Sequence, residues 1–399
     1  MDTKPGVQIL TGNQVLTGNQ AAALGFALAE PDVFGGYPIT PSTEVTEEVA
    51  AMAARGDIST IYRNTDSELA SMALGIGVST AGGRYGTATS SQGLSLMCEL
   101  LHWATTAQLP LVIANTNRSL GAPWSIHPDQ TDSLLFRDMF MPQLYCRTVQ
   151  EVLDMILWGY RLAEDLRVSL PVLVCFDGFM LSHTSEAVQV PTLEQVRKFL
   201  PKRAPKQDFT LEYRDKPMSL NSPVAWSEQM NRKRQLVAAM KAAGLVIKEI
   251  ARDFKNIMGR NYGEGCLSLG GRLDSLVAFV SMGAICGTIH EAVGDRAKII
   301  SIRSFRPFPA SELRNAIGHV SKIIVIDRSI LPNGEGVIAE ELRSNAGSCG
   351  YEGADIMSFV GGFGGENMSE QDFRKILAWV DQEPGPYKKT YWTGGAHEA

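Results

Sequence analysis

Nowhere in the 399 residues is there a run of about 18 or more apolar residues, the length a membrane-crossing helix needs. The start, MDTKPGVQIL, also lacks the charged, apolar and small-residue segments of a secretory signal, so a cytoplasmic location and no membrane partner are expected. Positive charge is in deficit: 37 Lys and Arg stand against 43 Asp and Glu, a formal net charge of −6, with no Lys/Arg tract suited to neutralising phosphates. Nucleic acid is therefore not expected as a partner. Six cysteines (Cys98, Cys146, Cys175, Cys266, Cys286 and Cys349) are scattered without a C-x-x-C or a Cys/His pair at metal spacing, which argues against any zinc or iron–sulfur site built by this chain alone. Apolar neighbours around Cys98, Cys175 and Cys286 suit packing thiols in a reducing compartment. Also missing is a G-x-G-x-x-G after a strand; NGEG at 333–336 and GGFGGEN at 361–367 lack that context, which argues against a Rossmann-type nucleotide binder.

What is present describes a folded chain. Hydrophobic residues make up 44% and charged residues 20%, and the length suits two domains. Short apolar segments alternate with helical stretches: VFGGYPI, a helix from Pro41, STIYR, a helix from about Asp66, RYGTATS, a helix from Gly93, LPLVIAN, LYCRTV, the helical VQEVLDMILWGYRLAEDL, then LPVLVCF. That alternation predicts a parallel sheet covered on both faces. The expected divisions are a first α/β domain over 1–185, a crossover and long helix over 186–259, a second, smaller α/β domain over 260–385 in which AKIISIRSF reads as one strand, and a polar tail over 386–399. Near the start, LTGNQ occurs twice. The second copy abuts a helix with Asn19 as a candidate N-cap, and the first reads as an extension.

Ligands of open parallel sheets sit beyond the carboxyl ends of the strands, so polar residues directly after the strands are the candidates. Thr40, in YPITP, follows the first of them between prolines that restrict its backbone; it is also well placed to cap the next helix with Pro41 at its first turn. Glu68, in NTDSE, opens the helix LASMALGIGVSTAGG, where a Thr65–Glu68 capping box is the ordinary alternative. Gly75 and Gly77 inside that helix suggest tight packing on another helix or subunit. Arg118 closes LPLVIAN and opens the long loop SLGAPWSIHPDQTDS, where its planar fork suits a carboxylate ligand as well as it suits pairing with Asp129 or Asp132.

Taken together, YPITPST, TDSELASMALGIGVSTAGGRYGTATSSQG and NRSLGAPWSIHPDQTDS closely resemble the first domain of the 2-oxoacid:ferredoxin oxidoreductases, and LPVLVCFDGFMLSHTSE and IRSFRPFP look like the same family. The resemblance spans nearly the whole chain. It implies an alpha subunit with a pyrimidine-binding thiamine-diphosphate domain followed by a transketolase C-terminal-like α/β domain. Carried over by motif, Glu68 meets the aminopyrimidine ring of the cofactor, Pro38 lies in its binding segment, and Thr40 and Arg118 hold the substrate carboxylate. The implied reaction is oxidative decarboxylation of a 2-oxoacid, with the acyl group passing to coenzyme A.

The family binds the cofactor diphosphate and Mg²⁺ through a G-D-G motif, and no G-D-G occurs here. The resemblance thus implies a beta subunit carrying that motif, gamma and ferredoxin-like delta subunits holding the iron–sulfur clusters, and ferredoxin or an NAD-linked flavin subunit as acceptor. A non-catalytic structural subunit of such a complex is the alternative. Two departures bear on the substrate: D-Q-T-D at 129–132 where pyruvate-type members read D-H-S-D, and Trp124 where they carry an aliphatic residue. Oxalate-specific relatives have arginine at the Thr40 position. Pyruvate-like, branched or aryl 2-oxoacids such as phenylglyoxylate remain, with Trp124 as an aromatic wall or as a packing residue.

Overall fold

The computed structural model describes residues 9–203, 224–349, 353–382 and 390–393. The first part runs β1 (Gly12–Thr17), α1 (Gly18–Ala29), β2 (Val33–Gly36), α2 (Thr43–Arg55), β3 (Ile61–Asn64), α3 (Glu68–Thr80), β4 (Tyr85–Thr89), α4 (Gln92–Leu96), α5 (Cys98–Thr106), β5 (Val112–Asn117), α6 (Thr131–Leu134), β6 (Gln143–Tyr145), α7 (Val149–Ala163), β7 (Val172–Asp177), β8 (Ser185–Val190) and α8 (Leu193–Phe199). The long α9 (Trp226–Met258) leads to β9 (Leu267–Gly271), β10 (Val277–Ser281), α10 (Ile285–Val293), β11 (Lys298–Ile302), β12 (Ser304–Arg306), α11 (Ala310–Ile317), β13 (Lys322–Asp327), α12 (Val337–Cys349), β14 (Asp355–Val360), α13 (Glu370–Gln382) and β15 (Thr390–Trp392).

Two sheets organise these elements. The first has the order β12-β6-β7-β5-β4-β2-β3, parallel from β6 to β3. The second has the order β15-β14-β13-β10-β11-β9, parallel except for β9. Strands β4, β5 and β7 are buried along their whole length, as expected for central strands with helices on both faces. Burial on both sides explains why their sequences are apolar runs without alternation.

The structure corrects several expectations. The first LTGNQ copy is not a loose extension: Gly12–Gln14 belong to β1, which pairs antiparallel with β8. Helix α1 is capped by Thr17 in a capping box with Gln20, while Asn19 is buried and its Nδ2 donates to Pro41 O (2.8 Å). Residues expected as surface crossover form β8 and α8, although 204–223 lie outside the described residues. Of the expected polar tail, Thr390–Trp392 form β15 at the edge of the second sheet.

The expected single strand AKIISIRSF is two strands in two sheets: β11 ends at Ile302, and β12 pairs with β6 of the first sheet. Between them Arg303 is fully buried, donating to Gly265 O (2.8 Å) and pairing with Glu151 (2.9 Å), which Arg147 also contacts (3.0 Å). Its charge and its carbonyl partners make the chain switch sheets there. Burial pushes the Glu151 carboxyl up, but Arg303 and Arg147 outweigh it and hold the pKa down at about 2. A depressed carboxylate stabilises the fold above its unfolded pKa and loses that stabilisation as pH falls through the folded value, here between about 4.5 and 2, on the order of 3 kcal/mol in total. Between pH 5 and 3, the thermal midpoint of the wild type should therefore fall more steeply than that of Glu151→Gln. Parallel curves would mean that the pair contributes nothing to the pH dependence.

Candidate active site

Strands β2, β3, β4, β5 and β7 are mutually parallel, so their carboxyl ends form one edge of the first sheet. Glu68 stands past the end of β3 as the first residue of α3. Ser67, not Thr65, caps that helix, its Oγ accepting from Ala70 N (3.1 Å), while the Thr65 hydroxyl donates to Gly36 O (3.1 Å). The Glu68 carboxyl therefore takes no part in capping. It is 6% exposed and makes no hydrogen bond or ion pair with any described residue.

Gly93, at the start of α4, packs on it. A Cβ added at Gly93 would lie 2.5 Å from Glu68 Oε1 and would collide with the Thr89 hydroxyl. That hydroxyl is itself buried without a partner. The buried Thr89 hydroxyl and the Glu68 carboxyl, neither hydrogen-bonded to any described residue, border the same small space beside Gly93. The enclosed Thr89 hydroxyl is costly unless a ligand or water completes it.

Arg118 follows β5 and is 5% exposed, so the alternative of a surface arginine paired with Asp129 or Asp132 is not found. Its guanidinium donates to Gln92 Oε1 (2.8 Å), lies over the Trp124 ring (5.3 Å to the centroid), and leaves Nε buried without a partner. Neither Asp129 nor Asp132 forms an ion pair with it. Burial lowers its pKa, while the charges of Asp132 and Glu68 raise it. Asp132 acts on the backbone instead. Its fully buried carboxylate accepts from Ser91 N (3.1 Å), Arg118 N (3.3 Å), Asn115 Nδ2 (3.1 Å) and Asn117 Nδ2 (2.7 Å), which ties the ends of β4 and β5 together. Burial raises its pKa to about 6 against those donors.

Thr40 and Pro38, between β2 and α2, are exposed. The N-cap of α2 is Ser42, so Thr40 does not cap, and its hydroxyl has no partner among the described residues. The segment meets the end of β5 at Gly178, where an added Cβ would lie 2.7 Å from Asn117 O and 2.9 Å from Pro41 Cγ. The structure thus brings Glu68 and Arg118 within electrostatic reach and sets the Thr40 segment beside the strand that delivers Arg118. Thr89, Ser91, Gln92 and Gly93 escaped the candidate list, and Asp132, named there only as an ion-pair alternative for Arg118, acts instead on backbone and amide groups. TATSSQG ends strand β4 at Thr89 and runs on directly past it, and the strand-end rule applied there finds these four.

The family profile described as "Pyruvate flavodoxin/ferredoxin oxidoreductase, thiamine diP-bdg" matches residues 25–252, and "Pyruvate:ferredoxin oxidoreductase core domain II" matches 276–373. The chain belongs to the 2-oxoacid:ferredoxin oxidoreductase family. Among its relatives, the pyruvate synthase subunit PorA of Methanothermobacter thermautotrophicus is 35% identical over 95% of this chain and 97% of its own length. The ketoisovalerate oxidoreductase subunit VorA of Pyrococcus furiosus is 36% identical over 94% of each. A 2-oxoglutarate:ferredoxin oxidoreductase from Magnetococcus marinus, solved with 2-oxoglutarate, coenzyme A and succinyl-CoA bound, shares the fold with a TM-score of 0.71 at 18% identity, covering 93% of this chain and 66% of that one. Like others of its family, this chain is an oxidoreductase subunit that works in a complex, and its first part is the family's thiamine-diphosphate-binding domain. Among the described residues no helix is long and apolar enough to cross a membrane.

The residues present fit one half of thiamine diphosphate. The unpartnered Glu68 carboxyl suits a ring nitrogen, and Gly93 leaves the room it needs. No G-D-G is available for the diphosphate and its Mg²⁺.

Proposed function

We propose that this chain is the alpha subunit of a coenzyme-A-acylating 2-oxoacid oxidoreductase, completed by a beta subunit that supplies the diphosphate and Mg²⁺ site. Gamma and delta subunits carry the iron–sulfur clusters, and ferredoxin, or NAD through a flavin subunit, accepts the electrons. The Glu68 carboxyl, on a residue only 6% exposed and making no hydrogen bond or ion pair with any described residue, carries this reading, because a purely structural subunit gives it no purpose. Thiamine diphosphate, when bound, would supply the carbon nucleophile and the electron sink that decarboxylation of a 2-oxoacid needs. Glu68 holds a proton at the aminopyrimidine ring nitrogen, with Pro38 in the segment beside the ring. Arg118, kept in place by Gln92, and Thr40 orient the substrate carboxylate. Trp124 over Arg118 forms an aromatic wall beside that carboxylate site. With PorA and VorA proteins similarly identical to the chain, we read the substrate as a monocarboxylic 2-oxoacid, pyruvate-like, branched or aryl as in phenylglyoxylate. Reduction of a viologen dye by the purified complex with a panel of 2-oxoacids tests this: coenzyme-A-dependent turnover of one of them is expected, and no turnover of any contradicts it.

The partner's seat is read on α3. Leu69, Ala73 and Gly77 are exposed at a spacing of one helical turn, beside the half-exposed Leu96 and Trp103 of the neighbouring α4 and α5. The two glycines of α3 separate here, contrary to their joint assignment to an interface. An added Cβ at Gly75 would lie 2.5 Å from the Tyr85 ring inside the chain, whereas at Gly77 it would meet nothing within 4 Å. Gly77→Leu should therefore leave the isolated chain stable and weaken its association with the beta subunit or its retention of cofactor, read by size exclusion and cofactor content. Gly75→Leu should destabilise the chain itself by overpacking, about 1–3 kcal/mol. Normal assembly and cofactor retention in Gly77→Leu would place the interface elsewhere.

A further inference from the structure

The loop after Arg118 is closed on itself and then fastened to the second sheet unit. Ser119 Oγ donates to Ser125 O (2.8 Å) and accepts from Ser125 N (2.6 Å), making a tight ring of the residues between them, Trp124 included. Ser125 Oγ in turn donates to Gly364 O (2.9 Å) and accepts from His127 N (3.2 Å). Gly364 belongs to the turn that follows β14, where Gly362, Gly364 and Gly365 all have positive φ (71°, 61° and 92°). The left-handed backbone is what lets this turn approach so closely. An added Cβ at Gly364 would lie 3.3 Å from Ser125 Cβ, and one at Gly365 only 2.7 Å from His127 Cγ.

A second fastening stands behind the first. Arg328, after β13, is buried and paired with the buried Asp177 of β7 (3.2 Å). Its Nη2 lies 3.4 Å from both Pro128 O and Gly362 O, and its carbonyl accepts from Gln130 N (3.0 Å). The same arginine therefore holds the end of the loop and the start of the glycine turn. On the other side of the loop, His127 packs against Phe179 (5.1 Å between ring centroids), Phe179 stacks on His183 (4.3 Å), and His183 bonds Glu44 (3.0 Å) of α2. A continuous set of contacts thus runs from the glycine turn to the helix that follows Thr40.

We propose that the glycine turn at 361–365 sets the substrate selectivity of the first unit, with Ser125 as the positioning residue that holds Trp124 over Arg118. The inference rests on the reading of Arg118 as the carboxylate binder and adds a purpose for the second sheet unit. Trp124 is 62% exposed, so its packing alone does not fix it. Its position over Arg118 is set by the ring that Ser125 closes, and Ser125 is anchored on Gly364.

Steady-state kinetics of the assembled complex with pyruvate, 3-methyl-2-oxobutanoate and phenylglyoxylate test this in the wild type, Ser125→Ala, Ser125→Thr and Gly364→Ala. Ser125→Ala removes the bond to the glycine turn; Gly364→Ala pushes on Ser125 from the opposite side. In both, the KM of the preferred 2-oxoacid should rise several-fold and the ratio of kcat/KM between best and poorest substrate should shrink by about 10-fold, the scale of a pocket-wall change. Saturated kcat should stay within about twofold, and Ser125→Thr, which keeps the hydroxyl, should restore the wild-type ratio. A general loss of stability would lower active-enzyme content without changing the ratio. Unchanged ratios and KM in Ser125→Ala and Gly364→Ala, in a complex whose wild type turns over a 2-oxoacid, overturn this inference and leave the proposed function standing. A wild-type complex inert toward all three overturns both.

Discussion

Glu68→Gln in the assembled complex should lose about 10²- to 10⁴-fold in 2-oxoacid turnover, the usual effect of removing a positioned acid–base group. The glutamine keeps the volume and a carbonyl but has no acidic proton to share with a ring nitrogen. Stability should change little, because the Glu68 carboxyl makes no hydrogen bond in the chain and Ser67 supplies the cap of α3. Assembly with the partner should therefore be normal. If the glutamate served only to start the helix, the pattern would reverse, with slight destabilisation and near-normal catalysis. Turnover above a few per cent of wild type in an assembled Glu68→Gln complex removes the carboxyl from the chemistry.

Arg118→Lys is the second large effect. Lysine keeps the charge but not the planar fork, and it lacks the means to donate to Gln92, lie over Trp124 and present two parallel N–H groups to a carboxylate at the same time. The expected loss is about 10²-fold in kcat/KM for the 2-oxoacid, the cost of a misplaced substrate. Cofactor content should barely change, since Arg118 is assigned to the substrate. An unaltered kcat/KM would require another partner for the carboxylate.

The regular parts of this molecule were legible in its sequence because burial dictates them. Apolar runs such as LPLVIAN and LPVLVCF became the central strands β5 and β7, and the mixed-charge periodicity after Ser227 became α9. The edges were not legible. Strands β1 and β8 pair only with each other, and the break between β11 and β12 depends on Arg303 finding Glu151, a residue distant in sequence. Strand periodicity carries no record of such a partner.

The candidate site shows the same division. Glu68, Arg118 and Thr40 stand at strand ends and in recognisable motifs, and the Glu68 carboxyl and the Thr40 hydroxyl have no hydrogen-bond partner among the described residues. Gly93 could not be singled out from spacing alone, because it matters through the space it leaves, and Asp132 is legible only as a pairing alternative for Arg118, whereas it gathers backbone groups at the ends of two strands. The glycine turn is more remote still: in sequence GGFGGEN is only a glycine-rich run without a nucleotide-binding context, while its left-handed residues serve contact with Ser125 and His127.

The central claim is that this chain holds half of a thiamine-diphosphate site and a partner holds the other. The most direct measurement is a thiamine-diphosphate and Mg²⁺ titration, followed by 2-oxoacid-dependent viologen reduction, of this chain alone, the beta subunit alone and the reconstituted complex. Saturable activation in the complex, with none in this chain by itself, is the predicted result. Full activation of the isolated chain, or a complex that turns over a 2-oxoacid without thiamine diphosphate, would contradict it.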